Sequence, residues 1–99
     1  MYISSTKRLL GIINPVCGVS VPWDYRKLLS AQCEKEGYRV TFVETTKDGD
    51  DYLRGLDYSH FDRVVVIGGD GTVREVLSFF LRSGIDVSVG IVPAGTGNI

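Results

Sequence analysis

A glycine-rich stretch directly after an apolar run is the part of this chain best suited to chemistry. Residues Gly68–Thr72 (Gly-Gly-Asp-Gly-Thr) follow the β-branched run Val64–Ile67, which is typical of a strand buried on both faces of a parallel sheet. Glycines let the backbone turn tightly and bring its N–H groups close to a ligand. A strand, a glycine turn and a helix N-terminus together suit an anion, most often a phosphate. Asp70 in that turn needs a cation or a sugar hydroxyl beside the phosphate, so the stretch indicates a nucleotide.

The alternative for Gly68–Thr72 is an ordinary tight turn between a strand and a helix. An Asp and a Thr would gain nothing structurally inside such a turn, which favours the binding interpretation.

The remainder of the chain alternates strand and helix patterns. Strands are predicted over residues 9–13, 39–44, 63–67 and 87–92, and helices over residues 22–36, 50–56 and from the glycine turn to residue 82. The second strand alternates polar and apolar residues, which places it near a sheet edge. This order, without a linker or an internal repeat, predicts an α/β fold with a doubly wound, mostly parallel sheet.

Helical spacing predicts which side chains these helices bury. The first helix should end at Gly37 and line one face with Tyr25, Leu28, Leu29 and Cys33. The helix after the glycine turn should bury a stripe formed by Val73, Val76, Leu77, Phe80 and Leu81. Phe79 lies beside that stripe, and we expect it to be a singly exposed apolar residue, with an interface contact as the alternative.

Polar or glycine-rich loops follow the carboxyl ends of all four predicted strands. They carry Asn14, Thr45, Gly68–Thr72 and Gly95–Asn98. In open α/β sheets these ends form the ligand crevice, so the four loops should converge on one site. Thr45 has an alternative role as a helix cap.

Composition excludes several classes of protein. The formal net charge of −1 gives no support for nucleic-acid binding, and no apolar run is long enough to span a bilayer. The first residues lack the layout of a signal peptide, and Cys17 and Cys33 lack metal-ligand spacing. A reduced, cytoplasmic protein is therefore expected.

Together with Asn14-Pro15 and the loop Pro93–Asn98, the stretch Gly68–Thr72 with Glu75 resembles the catalytic domain of the diacylglycerol and sphingosine lipid kinases. The resemblance runs from residue 9 to residue 99. The Gly-Gly-Asp-Gly-Thr motif alone is shared with NAD kinases and phosphofructokinases, whose N-terminal nucleotide-binding domain is the implied fold. The Gly-Thr-Gly-Asn loop and the early Asn-Pro favour the lipid kinase branch.

The resemblance implies roles for individual residues. Gly68, Gly69, Gly71 and the Thr72 hydroxyl would hold the phosphates of ATP, and Asp70 would be the catalytic acidic residue near the nucleotide and Mg2+. Glu75 would orient the loop or the metal shell, with a solvated helix face as its alternative. The candidate cofactor-binding set is Asn14, Thr45, Gly68, Gly69, Asp70, Gly71, Thr72, Val73, Arg74, Glu75, Gly95, Thr96, Gly97 and Asn98.

Three positions depart from the family pattern, and one of them is Cys17, which stands before Gly18 where relatives often have Ser. Arg74 stands where many relatives carry Asn or Ser, so it either reaches a phosphate or extends outward. Asp51 replaces a small Ala, which puts the fit of the second helix against the sheet in doubt.

The implied activity is ATP-dependent phosphoryl transfer to a lipid hydroxyl at a membrane surface, with the protein cytoplasmic or peripheral to the membrane. Residues 1–99 would form the N-terminal part of the catalytic domain. The metal ligands, which the sequence does not identify, and the catalytic base would lie in a following β-rich domain, so we expect little turnover from residues 1–99 alone. A kinase for a soluble acceptor such as NAD, and a non-catalytic nucleotide-binding fragment, remain the alternatives. Exposed sheet edges leave a homo-oligomer open.

Overall fold

A computed structural model describes residues 7–15, 24–47 and 49–93. Its sheet contains strands β1 (Lys7–Ile13), β2 (Tyr38–Glu44), β3 (Arg63–Gly68) and β4 (Ser88–Pro93). All the pairings are parallel, and the strand order is β2-β1-β3-β4. The predicted parallel α/β fold is confirmed, and β2 lies at an edge as its alternating pattern indicated.

Helices cover both faces of this sheet. Helix α1 (Tyr25–Glu36) connects β1 to β2, and helix α3 (Asp70–Ser83) connects β3 to β4. The short helix α2 (Asp51–Arg54) and a 3-10 turn (Tyr58–His60) lie between β2 and β3. Helix α2 is shorter than predicted because the chain turns at Gly55 and the Asp57 carboxylate accepts from the Ser59 N–H to start the 3-10 turn.

Strand periodicity divides the core into two layers, because successive side chains of a strand point to opposite faces. Leu10 and Ile12 of β1 pack in one cluster with Val76 and Phe80 of α3. Leu9 and Ile13 pack in the other cluster, which includes Cys33 of α1. The two central strands, β1 and β3, are therefore apolar on both faces, as the continuous run in β3 predicted.

Helix boundaries follow local chemistry. The Asp24 carboxylate caps α1 by accepting from the N–H groups of Arg26 and Lys27. Gly37 ends α1 with φ +82° and Gly84 ends α3 with φ +68°, a left-handed conformation that favours glycine. The predicted end of the first helix at Gly37 is confirmed. The predicted start of the first helix at Pro22 lies outside the described residues.

The predicted buried faces were partly wrong. On α3, Phe79 is buried whereas Leu77 is 37% and Leu81 is 83% exposed. Phe79 is covered because the 3-10 turn packs over it, with the rings of Tyr58 and Phe79 6.3 Å apart. On α1, Leu28 is 54% exposed, because contact with the sheet follows the i, i+4, i+8 row through Tyr25, Leu29 and Cys33.

Candidate functional site

The carboxyl ends of β1 and β3 form the point at which the sheet reverses its strand order. The chain leaves β1 for β2 on one side and then returns to β3 on the other side of β1. Ligands of open α/β sheets bind in the crevice outside this switch point.

Asn14 and Thr72 meet at this crevice. The Asn14 backbone N–H donates to the Ile67 carbonyl at 3.0 Å, which ties the end of β1 to β3. Its side-chain Nδ2 donates to the Thr72 hydroxyl at 3.2 Å. Two predicted site residues that are 58 positions apart in the chain are thus in contact. Because Thr72 accepts this bond, its own hydroxyl proton is available to another acceptor.

The glycine turn is shorter than the sequence predicted. Helix α3 begins at Asp70, and Gly69 is its N-cap residue with extended backbone. Gly68 allows a close approach: a Cβ built there would lie 2.9 Å from the Thr72 Cβ and 3.0 Å from its hydroxyl oxygen. A Cβ at Gly71 would meet nothing within 4 Å. Gly68 therefore seats Thr72 against β3, while Gly71 leaves the first turn of α3 open on its outer side.

The N-terminus of α3 differs from that of α1. Helix α1 is capped by the Asp24 side chain, whereas the N-cap residue of α3 is Gly69, which has no side chain, and no other side chain of the described residues caps α3. The first N–H groups of an α-helix have no partner within the helix. Those of Asp70, Gly71 and Thr72 are therefore available to an anion, which the helix dipole also favours.

The structure also corrects the argument against an ordinary turn. Asp70 lies in the first turn of α3, where a carboxylate is favourable beside the helix dipole. Thr72 packs against Gly68 and accepts from Asn14. Both side chains thus gain structurally, so their presence alone does not demonstrate binding. Their roles at a nucleotide stay predictions.

Thr45 lies on the rim beside Asn14. Its N–H donates to the Ile13 carbonyl at 2.9 Å, and the preceding residue, Glu44, is paired with Ile13 in the sheet register. The alternative role of Thr45 as a helix cap is wrong, because the N-cap of α2 is Asp50.

Glu75 faces the short helix α2. Its carboxylate accepts a hydrogen bond from the Tyr52 hydroxyl at 2.6 Å, in a partly buried setting. Burial first, and then the bond to the Glu75 carboxylate, raise the pKa of Tyr52 well above its usual range. The predicted alternative, a solvated helix face, is therefore wrong for Glu75. Tyr52 was missed because a lone tyrosine in a four-residue helix leaves no periodic signal.

Of the three family departures, Asp51 and Arg74 lie on the surface, and Cys17 lies outside the described residues. Asp51 is exposed and pairs with Arg54 at 3.6 Å, so α2 fits the sheet through Leu53, which is fully buried. Arg74 is exposed and lines a shallow groove of about 360 Å³ with Asp70, Val73 and further α3 residues. Val73 itself is partly buried against the core.

The remaining predicted site residues follow β4 in the sequence. Gly95, Thr96, Gly97 and Asn98 lie outside the described residues. The described residues (7–15, 24–47 and 49–93) contain no cluster of three or more Asp, Glu, His or Cys side chains that could hold a metal ion. Asp70 is the carboxylate at the α3 N-terminus, so a divalent cation there would need additional ligands from bound phosphates and water.

A parallel α/β sheet with an uncapped helix N-terminus at its switch point defines a class of phosphate- and nucleotide-binding domains. Residues 8–99 match the diacylglycerol kinase catalytic domain. The chain belongs to this family.

The similar proteins include sphingosine kinases and diacylglycerol kinases. A Streptococcus pneumoniae protein with a provisional lipid kinase name is 34% identical over 95 residues, covering 94% of this chain and 32% of that protein. Human sphingosine kinase 2 is 29% identical over 99 residues, covering 92% of this chain and 15% of the kinase. A Staphylococcus epidermidis diacylglycerol kinase is 32% identical over 98 residues, covering 93% and 30%.

The chain therefore spans about a third or less of the length of these relatives. None of the helices in the described ranges combines the length and the apolar character that crossing a bilayer requires.

Proposed function

We propose that this chain supplies the nucleotide-binding half of an ATP-dependent lipid kinase, which transfers a phosphoryl group to a lipid hydroxyl. The observation that carries the proposal is the pairing of Asn14 with Thr72 beside the uncapped N-terminus of α3, at the switch point of the sheet. Family membership supports kinase chemistry.

The residues present fit a phosphate group. The N–H groups of Asp70, Gly71 and Thr72 would donate to its oxygens, and the open side of Gly71 leaves room for close approach. The Thr72 hydroxyl would add a fourth donor while the Asn14 amide fixes its position. Thr45, two strands away from Thr72 on the same rim, would contact the nucleotide from the other side.

Asp70 would make a cation necessary at this phosphate site. A carboxylate beside phosphate oxygens is repulsive unless a positive charge lies between them. Mg2+ would supply that charge and lower the barrier to phosphoryl transfer, with Asp70 as one of its ligands. The protein groups then act by positioning and electrostatic stabilisation, which provide most of the acceleration in such reactions.

A lipid acceptor is supported by the names of the relatives, which are diacylglycerol, sphingosine and lipid kinases. The protein would then work at a membrane surface from the cytoplasmic side. The catalytic base, the remaining metal ligands and the lipid site would be contributed from outside the residues described here.

The test is a phosphorylation assay on the intact protein. Radiolabelled ATP and Mg2+ are supplied with vesicles containing diacylglycerol or a sphingoid base, or with soluble NAD. We expect label in a lipid product, with Asp70→Asn reducing turnover at least about a hundredfold, a typical cost of removing one electrostatic contact to the transition state. Unfolding of the variant in urea should stay close to wild type because Asp70 is exposed.

A matched pair at Thr72 separates the hydroxyl from the side-chain shape. Thr72→Val keeps the β-branched form and should weaken ATP binding, whereas Thr72→Ser keeps the hydroxyl and should bind nearly as wild type. Label found only in NAD would replace the lipid proposal with a soluble acceptor. ATP binding without any product would leave a nucleotide-binding protein and overturn the kinase proposal.

A further inference from the structure

Helix α2 cannot hold its own position. It has four residues (Asp51–Arg54), far fewer than an isolated helix needs in water. Contacts with the rest of the protein must therefore place it. Leu53 anchors it in the core beneath α3, with no exposed surface. An apolar side chain fixes the depth of burial but leaves rotation and sliding largely free, because the hydrophobic effect has no direction.

Two directional contacts join α2 and its N-cap to α3. The Tyr52 hydroxyl donates to Glu75 at 2.6 Å. The Asp50 carboxylate accepts from Arg82 at 2.7 Å, almost two helical turns further along α3. Arg82 is 62% exposed, and ion pairs with exposed partners contribute little. The Tyr52–Glu75 bond is partly buried and has a charged acceptor, which makes it the stronger of the two contacts.

The segment just before α2 connects this attachment to the candidate site. Thr45 is bonded to β1 through Ile13, and Thr46 pairs with Gly49 in an isolated bridge. Asp50 follows directly and is the N-cap of α2. Residues 45–47 and 49–50, called the Thr45 segment below, are thus held by β1 at their start and by α2 at their end, so a shift of α2 is close enough in the chain to reach Thr45.

We propose that Tyr52 is a positioning residue for the nucleotide, because its hydrogen bond to Glu75 holds the Thr45 segment in a fixed relation to the N-terminus of α3. Glu75 lies less than two turns from Asp70 along the same helix. The inference rests on the proposed function for the identity of the ligand. It assigns Glu75 a role through Tyr52 and α2.

The experiment compares two tyrosines in the intact protein. Tyr52→Phe removes the hydroxyl that bonds Glu75. Tyr38→Phe is the control, since it removes the same hydroxyl from a partly buried tyrosine that packs on the opposite face of the sheet, away from α2 and α3. We expect Tyr52→Phe to raise KM for ATP about tenfold while kcat changes less than about twofold. Tyr38→Phe should change neither value by more than about twofold.

A second readout needs no catalysis. Amide hydrogen exchange of residues 45–47 and 49–50, measured without nucleotide, should be faster in Tyr52→Phe than in wild type and unchanged in Tyr38→Phe. Glu75→Gln keeps an acceptor for the Tyr52 hydroxyl and should give an intermediate change in both measurements.

The outcomes separate the inference from the proposed function. Equal effects of Tyr52→Phe and Tyr38→Phe on KM and on exchange would overturn the positioning role. A wild-type protein that binds no ATP would overturn the proposed function and the nucleotide part of this inference. Selective loss of protection in Tyr52→Phe would in that case still show that Tyr52 holds the Thr45 segment.

Discussion

Replacing Gly68 by alanine should damage both the stability and the candidate site. The added methyl would lie 2.9, 3.0 and 3.1 Å from Cβ, Oγ1 and Cγ2 of Thr72, closer than van der Waals contact allows. Thr72 cannot turn away easily, because it is β-branched and sits in the first turn of α3. Helix α3 must therefore shift away from β3, or Thr72 must abandon its bond to Asn14.

The expected loss of stability has two contributions, overpacking against Thr72 and loss of its hydrogen bond to Asn14. Overpacking of this kind typically costs about 1–3 kcal/mol, and loss of the Asn14–Thr72 hydrogen bond adds about 1 kcal/mol. We expect the free energy of unfolding to fall by about 2–4 kcal/mol, measured by urea denaturation with an unchanged m-value.

Gly71→Ala is the matched control for this prediction. It makes the same chemical change three residues away, where the new methyl meets nothing within 4 Å. Because alanine is the better helix former, this variant should be unchanged or up to about 1 kcal/mol more stable.

A third substitution checks the cause. Thr72→Gly removes all the atoms that the new methyl would contact, so Gly68→Ala should cost clearly less in that background than in wild type. Equal stabilities for Gly68→Ala and Gly71→Ala, or a cost of Gly68→Ala that is independent of residue 72, would refute the reasoning.

Other predictions concern the core and the response to pH. Phe79→Ala should lower the free energy of unfolding by about 3–5 kcal/mol. Leu81→Ala should change it by less than about 0.5 kcal/mol, because Leu81 is 83% exposed. Equal effects of the two variants would contradict the observed packing. Burial raises the pKa of Tyr58 to about 12, so its contribution to stability is complete below pH 10 and disappears as the pH rises toward 12. Tyr58→Phe should therefore flatten the decline of stability in that interval, and an unchanged profile would contradict the assignment. The Arg82 hydrogen bond holds the pKa of Asp50 below its usual range, so its stabilisation is present above pH 4 and is lost as the pH falls further; Arg82→Gln should reduce this acid dependence in chemical denaturation curves.

The architecture was readable from the sequence because its signals are local. Four consecutive β-branched residues in β3 permit little other than a strand buried on both faces. Gly37 marked the end of α1 through a backbone conformation that glycine favours. Because neighbouring strands of a parallel sheet end at the same edge, Asn14 after β1 and Thr72 after β3 were expected on the same rim.

The missing parts depend on contacts between distant segments. Phe79 is buried because the 3-10 turn at Tyr58 covers it, and that turn carries no sequence period from which its path could be predicted. The Tyr52–Glu75 bond likewise joins residues 23 positions apart. Helical spacing could also not distinguish Leu81 from its buried neighbours, because the width of the covered face depends on what packs there.

The long sequence separation between Asn14 and Thr72 links binding to folding. Until β3 has docked beside β1, these side chains are joined only by a flexible stretch of chain. The hydrogen-bond donors that would bind a phosphate are then not assembled. A ligand that needs both residues would therefore bind the native state and ignore the unfolded chain. At a concentration one hundred times its dissociation constant, such a ligand would stabilise the fold by about 2.7 kcal/mol. Because folded proteins are only marginally stable, that amount is a substantial share of the total stability, so the occupied protein would resist unfolding and proteolysis better than the empty one.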